Sequence, residues 1–294
     1  MIKWLEQADI LTKALPYIRK FAGKIIVVKY GGNAMGDADA TRRFAEDIVL
    51  LKQVGIHPIV VHGGGPQIGY MLEKLGIESG FKNGLRVTTK EAMSVAEMVL
   101  CGSVNNDIVA HINQAGGKAI GLSGKDANLV IAEKRTTISV DPDSNIEKVV
   151  DLGFVGEPVE VNSEVLYTLM NTDIIPVIAP VAIGRNGETY NVNADTIAGA
   201  IAGSVKAKRL YLLTDIEGLL DADKKLVSET NVAGAKRFMK DDVIVGGMIP
   251  KIETCIQTIE AGVEASVIVD GRVAHSILLE VFTEGGAGTF IRGV

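Results

Sequence analysis

VVKYGG, residues 27–32, ends an apolar run that starts at Ile25. The run has the length and β-branched content of a buried strand. It closes on a fixed positive charge, Lys29, then an aromatic ring and two residues with no side chain. A lysine at a strand end before a glycine turn is ordinarily a snorkelling surface charge. At the carboxyl end of a parallel strand, the same pattern marks a place where ligands bind. The choice depends on what the rest of the chain sets beside it.

Comparable runs recur at KIIVVKY (24–30), HPIVVHG (57–63), KAIGLSG (118–124), DIIPVIAP (173–180), RLYLLTD (209–215) and ASVIVDG (265–271). Helical patterns separate most of them, at 38–54, 66–76, 89–114, 162–171, 194–207 and 250–262. Short apolar strands alternating with helices predict an α/β fold, with a mostly parallel central sheet covered on both faces. Two runs read as antiparallel. VDLGFVGEPVEV (150–161) contains an expected glycine-rich turn, and VAIGRNGETYNV (181–192) carries the hairpin signal Asn186-Gly187. Segment 133–148 is polar and reads as an exposed excursion. Residues 4–21 read as an added helix with an apolar stripe of Trp4, Ala8, Leu11, Leu15 and Ile18, which Pro16 should kink or divide. That stripe needs a partner, in its own core or on another subunit. The chain is expected to divide into this helix (1–22), a first lobe (23–194) and a second lobe (195–294).

The 294 residues suit about two domains of roughly 150 residues each. A net charge of −6 speaks against a general nucleic-acid-binding surface. The two cysteines, Cys101 and Cys255, form no CxxC pair and no disulfide framework, which suits a reducing compartment. The first residues lack the apolar core of a signal peptide. The longest apolar run, IIPVIAPVAIG, has 11 residues, too few to span a bilayer as a helix. A soluble, cytoplasmic protein without membrane contact is expected.

Several familiar chemistries are missing. The GK pairs at 23, 117 and 124 are followed by Ile, Ala and Asp, so there is no Walker A loop. No GxGxxG or GxSxG occurs, and His57, His62, His111 and His275 show no metal-site spacing. The chain instead carries glycine-rich turns, several directly after strands: KYGGNA (29–34), HGGGPQIG (62–69), GLSGKDA (121–127), TDIEG (214–218) and GGMIPK (246–251). Such turns let backbone N–H groups approach an anion, helped by a following helix N-terminus. Lys29 and Lys251 sit in two of them, on opposite halves, and could clamp a transferring phosphoryl group. Pro250 beside Lys251 suits the first position of a helix. Asp195, in NVNAD, could hold both ammonium groups, or could be a helix N-cap. Asn191 and Asn193 alternate at a strand end and share a side, or serve turn chemistry. Arg86, in KNGLRVT, offers a fork for a carboxylate, or makes a surface ion pair.

Together the motifs KYGGNAM, VVHGGGPQI, FKNGLRVT, YNVNAD, LLTDIEGL and GGMIPKIE resemble the amino-acid kinase family, in its order and over essentially the whole chain. KNGLRVT with NVNAD is most similar to the members that phosphorylate N-acetyl-L-glutamate. The resemblance implies the family's αβα sandwich, with acetylglutamate on the first lobe and ATP with Mg²⁺ on the second. It implies Lys29 and Lys251 as phosphoryl-transfer lysines and Asp195 as their organiser. Gly31, Gly32, Gly64 and Gly65 become backbone donors, Arg86 a clamp on the α-carboxylate, and Asn191 a substrate-binding asparagine with Asn193 beside it. Thr214, Asp215 and Gly218 fall where the family holds its nucleotide.

The ends, ALPYIRKF (14–21) and HSILLEVFTEGGAGTFI (275–291), resemble the branch inhibited by L-arginine, whose added helix links dimers into a hexamer. Tyr17, His275, Glu280 and Gly288 are its implied effector residues. Relatives often carry Glu-Lys where this chain has Lys208-Arg209, and in some of them segment 133–148 is shorter. Some relatives bind the PII signalling protein, and nothing in these residues establishes or excludes that. A glutamate 5-kinase or carbamate kinase type of activity, and a non-catalytic arginine or nucleotide sensor, remain the alternatives.

Overall fold

The computed structural model describes residues 2–32, 35, 37–82, 85–140 and 147–293. Asn33 and Ala34 of the first glycine motif, Asn83 and Gly84 of KNGLRVT, and part of segment 133–148 lie outside them. The first half holds α1 (Ile2–Phe21), β1 (Ile25–Tyr30), α2 (Ala38–Gln53), β2 (His57–His62), α3 (Gly65–Lys74), β3 (Phe81–Lys82), β4 (Leu85–Arg86), α4 (Lys90–Glu97), a π-helical segment (Met98–Val104), α5 (Asn105–Gln114) and β5 (Lys118–Ser123). A long hairpin follows, β6 (Val130–Val140) and β7 (Glu147–Val161), then α6 (Glu164–Met170), β8 (Ile174–Ala179), β9 (Val181–Ile183) and β10 (Thr189–Val192). The second half holds α7 (Ala194–Ser204), β11 (Arg209–Thr214), β12 (Glu229–Asn231), α8 (Val232–Lys240), α9 (Met248–Glu260), β13 (Ala265–Asp270), α10 (Ser276–Phe282) and β14 (Thr289–Arg292). No described helix is long and apolar enough to cross a membrane.

One eight-stranded sheet runs in the order β12-β14-β13-β11-β1-β2-β8-β5, parallel except where β14 opposes β13. The strand carrying VVKY is central, paired in parallel with β11 on one side and β2 on the other. Alternation along β1 sorts its side chains between two cores. Ile26, Val28 and Tyr30 enter the cluster with Phe44, Ile48 and Leu51 of α2. Val27 enters the opposite cluster, with Ile197 of α7 and Ile252 of α9. Lys29, two residues beyond Val27, is therefore aimed at the α7/α9 side of the sheet. The predicted layers and parallel strands are present.

Local differences have physical causes. Pro16 does not divide α1, which runs unbroken from Ile2 to Phe21 with Trp4, Leu11 and Leu15 exposed. VDLGFVGEPVEV forms no turn: it lies within the single strand β7, paired antiparallel with β6. Gly153 has φ +74°, and a Cβ there would stand 2.1 Å from the Thr88 carbonyl oxygen. It is glycine because the Thr88 backbone bonds on both sides of it, to Leu152 and Phe154. The described parts of 133–148 are paired strands of the β6–β7 hairpin, with Glu133, Lys134 and Thr136 exposed as the polar sequence suggested. The Asn186-Gly187 turn does join the antiparallel pair β9–β10, and a small closed barrel of β10-β7-β6-β9 stands beside the sheet. The expected helix 89–114 contains the π-helical segment, and α8 and α10 are additional short helices.

Candidate active site

Lys29, Asp195 and Lys251 meet on the α7/α9 side of the sheet. Asn193 caps α7: its side chain accepts from the N–H groups of Asp195 (2.8 Å) and Thr196 (3.2 Å). The cap reading thus belongs to Asn193, and the Asp195 side chain is left for the lysines. Lys251 Nζ donates to Asp195 Oδ2 at 2.7 Å. Lys29 Nζ faces Asp195 Oδ1 at 3.0 Å, an ion pair off hydrogen-bond alignment. Pro250 is the third residue of α9, not the first; its missing N–H is still one the helix would leave unpaired.

Burial alone would raise the Asp195 carboxyl, but Lys29 and Lys251 outweigh it and hold the group well below the ordinary range. Burial lowers the Lys29 ammonium; Asp195 opposes that shift and Lys251 adds to it. The cluster therefore carries two cations on one carboxylate, an excess of one positive charge.

The glycines follow from this. A Cβ on Gly31 would lie 2.7 Å from Lys29 Nζ, so the lysine curls over a position that has room only for hydrogen. Gly32 has φ +77°, and a Cβ on it would approach the Asp215 N–H across the site at 3.9 Å. Gly63 donates to the Tyr30 carbonyl (2.7 Å), locking the second glycine turn onto the first. A Cβ on Gly64 would strike Leu100 Cδ2 at 2.5 Å, whereas at Gly65 nothing lies within 4 Å.

These turns line a cleft of about 210 Å³ with Lys29, Arg86, Asn191 and Asn193. Arg86 is not a surface charge. It is buried on β4, donates to Ser79 Oγ (2.8 Å) and the Gly65 carbonyl (2.9 Å), and lies over the Phe81 ring. Among the described residues no carboxylate pairs with it, so a buried cation borders the cleft that Lys29 also lines. Asn191 and Asn193 both line the cleft, together with Val192 between them, and the Asn193 side chain serves the cap of α7, the turn chemistry that was its alternative. Phe81, the first residue of FKNGLRVT, also lines it, as do Leu100 and Val155, whose local sequence does not separate them from ordinary core residues.

Thr214 and Asp215 lie at the carboxyl end of β11, beside β1, with Thr214 Oγ1 3.3 Å from Asp215 Oδ1. Gly218 packs on Thr289, where a Cβ would meet Oγ1 at 2.6 Å. Among the described residues no group of three His, Cys, Asp or Glu is placed to hold a metal ion.

The four effector candidates separate. Tyr17, Glu280 and Gly288 border a second cavity of about 390 Å³, with Lys20, Arg209 and Glu284. Glu280 Oε1 accepts from Gly288 N at 2.7 Å and so shapes that cavity's loop. His275 does not border it. It has φ +57° and donates through Nδ1 to Asp47 Oδ1 (2.5 Å) on α2. Burial pushes the Asp47 carboxyl up to about 6, with His275 pulling the other way. Arg209, at the departure Lys208-Arg209, pairs with Glu264 at 2.8 Å.

Comparison with known proteins gives the family and the fold. A family model described as the amino acid kinase family matches residues 24–270. The chain is 62% identical to an acetylglutamate kinase of Rhodospirillum centenum, over 98% of this chain and 95% of the relative. It is 60% identical to one of Parvibaculum lavamentivorans, with the same shares covered. Among solved structures, N-acetylglutamate synthase from Neisseria gonorrhoeae, complexed with coenzyme A and N-acetyl-glutamate, superposes with a TM-score of 0.83 at 23% identity. That match covers 97% of this chain but 63% of the synthase. Carbamate kinase from Giardia lamblia bound to AMP-PNP gives a TM-score of 0.63 at 18% identity, over 93% of this chain and 99% of that one. At such identities the two structures speak for the fold alone. The chain belongs to the amino acid kinase family, within its acetylglutamate kinase group.

Proposed function

We propose that Lys29, Asp195 and Lys251 carry the reaction of an ATP-dependent kinase that phosphorylates the γ-carboxylate of N-acetyl-L-glutamate, a step of arginine biosynthesis. The observation that supports the assignment is one buried carboxylate holding two ammonium groups beside a cleft with a buried arginine that no described carboxylate neutralises. A glutamate-type carboxyl titrates at about 4.3, so the nucleophile is ionised at neutral pH and needs no general base. The obstacle is repulsion between that anion and the anionic γ-phosphoryl group. Phosphoryl transfer is mainly positioning and electrostatic stabilisation. The excess positive charge of the cluster supplies the second, and Arg86 with Asn191 supplies the first by holding the far end of the acceptor. N–H groups of the glycine turns at 31–32 and 64–65 face the transferring group. Asn193 acts through the cap that frees Asp195.

Residues 23–194 form the acetylglutamate lobe and 195–294 the ATP lobe, with Thr214, Asp215 and Gly218 on the nucleotide side. Mg²⁺ carried on the ATP phosphates would supply neutralisation of phosphate charge, beside that of Lys29 and Lys251. The protein acts in the cytoplasm. The cavity bordered by Tyr17, Glu280 and Gly288 takes L-arginine as a feedback inhibitor, and His275 acts on it only indirectly, through the loop before α10. Helix α1, with its exposed Trp4 and Leu11, joins dimers into a homohexamer. Deleting residues 1–22 then reduces a hexamer to dimers and blunts arginine inhibition.

The decisive assay traps acyl phosphate with hydroxylamine in the presence of MgATP, with N-acetylglutamate and glutamate in parallel. Signal with N-acetylglutamate alone is expected. Signal with glutamate alone moves the acceptor assignment to another member of the family, and none with either leaves a sensor.

A further inference from the structure

His62 takes no part in the reaction as derived so far, yet it is wholly buried at the carboxyl end of β2, directly before Gly63–Gly65. Its Nδ1 lies 2.7 Å from the Gly63 carbonyl oxygen. A carbonyl can only accept, so the proton is on Nδ1, and Nε2 accepts from Asn105 Nδ2 at 3.1 Å. The same Asn105 amide donates to the Val177 carbonyl on β8 at 2.9 Å, which fixes its orientation. Asn105 is itself buried, packed so close to β5 that a Cβ on Gly121 would overlap its Oδ1.

The π-helical segment explains how Asn105 arrives there. Its N–H bonds to the Leu100 carbonyl, five residues back. In an ordinary α-helix residues five apart point about 140° away from each other. The wider turn brings both onto the glycine turn: Leu100 against Gly64 and Asn105 against His62. Such single π turns are frequent at functional sites.

We propose that His62, held by Asn105, is a positioning residue for phosphoryl transfer, fixing the Gly63–Gly64 peptide so that its N–H is aimed into the cleft. The peptide unit is planar and trans, so its carbonyl and N–H point in opposite directions. Tying the Gly63 oxygen to the ring turns the Gly64 N–H away from it. Among the described residues neither the Gly64 nor the Gly65 N–H has an acceptor, and both residues line the cleft. A free glycine peptide rotates readily; this one is pinned from below. The inference rests on the assignment of Gly64 and Gly65 to the transferring group.

Two substitutions divide the ring's contacts. His62→Asn keeps a donor at the δ position, for Gly63, and loses the acceptor for Asn105. His62→Gln keeps the acceptor and loses the donor. His62→Asn leaves the larger gap and should lower the melting temperature more, so a greater kcat loss in His62→Gln cannot come from packing. If the Gly63 contact positions the turn, His62→Gln loses kcat by about tenfold to a hundredfold, the scale of a small misplacement in a site. Its KM values change little, and His62→Asn, which keeps the Gly63 donor and loses only the Asn105 hold, loses measurably less of kcat without matching the wild type. Equal kcat in the two variants overturns the proposal. If neither folds, Asn105→Ala leaves the ring but frees it, and an unchanged kcat there overturns the proposal as well. Gly65→Ala tests the underlying assignment separately. Its methyl meets no protein atom, so wild-type kinetics would mean that the turn does not face substrate, whatever the His62 variants do.

Discussion

Asp195→Asn removes the charge on which both lysines rest and little else. The helix start is retained, because Asn193 supplies the cap. The two contacts, at 3.0 and 2.7 Å, correspond to about 5–6 kcal/mol each at an effective dielectric of 20, before desolvation is subtracted. Net of desolvation, removing one member of a buried ion cluster costs about 3–5 kcal/mol of stability. Part of that loss is relieved when Lys29 sheds its proton. Lys29 is already lowered by burial, and Asp195 is the main group opposing the shift. A lysine of lowered pKa keeps its charge below that pKa and loses it as pH rises through it. Without Asp195 the basic limb of kcat therefore moves to lower pH. At neutral pH, kcat falls by roughly 10²–10³, the scale of a lost charge-stabilising group. The hydroxylamine assay over a pH series, with thermal unfolding alongside, measures both. An unmoved basic limb, with kcat within about threefold of wild type, would refute the reasoning, since that is under about 1 kcal/mol of barrier.

Other outcomes follow from single contacts. Arg86→Lys loses the fork that reaches Ser79 and Gly65 together, so KM for N-acetylglutamate rises about tenfold to a hundredfold while KM for ATP holds; equal effects on both would argue against a carboxylate clamp. Gly153→Ala places a methyl against the Thr88 carbonyl at positive φ, and denaturant unfolding should show a loss of at least about 2 kcal/mol. Asp47 has a folded pKa raised to about 6 by burial, so its contribution to stability is full below its unfolded value and is lost as pH rises through about 6. Relative to Asp47→Asn, the wild type should then lose up to about 3 kcal/mol between pH 4 and 7, and a difference that does not change with pH would remove that account.

The parallel sheet was legible because each buried strand is a short apolar run punctuated by glycine, and the lysine pair because both lysines stand in such punctuation. What escaped was nonlocal or chemically degenerate. Asn193 and Asp195 are both good caps, and only the geometry shows which one caps and which is left free. Gly153 looks like a turn residue, but the backbone that demands it belongs to Thr88. His275 reads as part of a carboxyl-terminal motif, yet its partner Asp47 is 228 residues away. The π turn changes hydrogen-bond partners without changing composition, so 89–114 reads as one helix. Helices α8 and α10, of nine and seven residues, carry no expected helix although the equally short α6 lies within 162–171, so length alone does not decide legibility.

The central position of β1 also sets a timetable for synthesis. Its ladder with β2 can close within one short helix, but its other edge must wait for β11 at Arg209–Thr214. At translation rates of about 5–20 residues per second, the intervening chain takes roughly 10–40 s to emerge. Throughout that interval a flat, apolar strand edge stands unpaired on the ribosome-bound chain, the form most prone to pairing with a neighbour. The strand that carries Lys29 is thus also the nascent chain's longest-standing aggregation hazard, and the interval of its synthesis is the one in which a holding chaperone has most to protect.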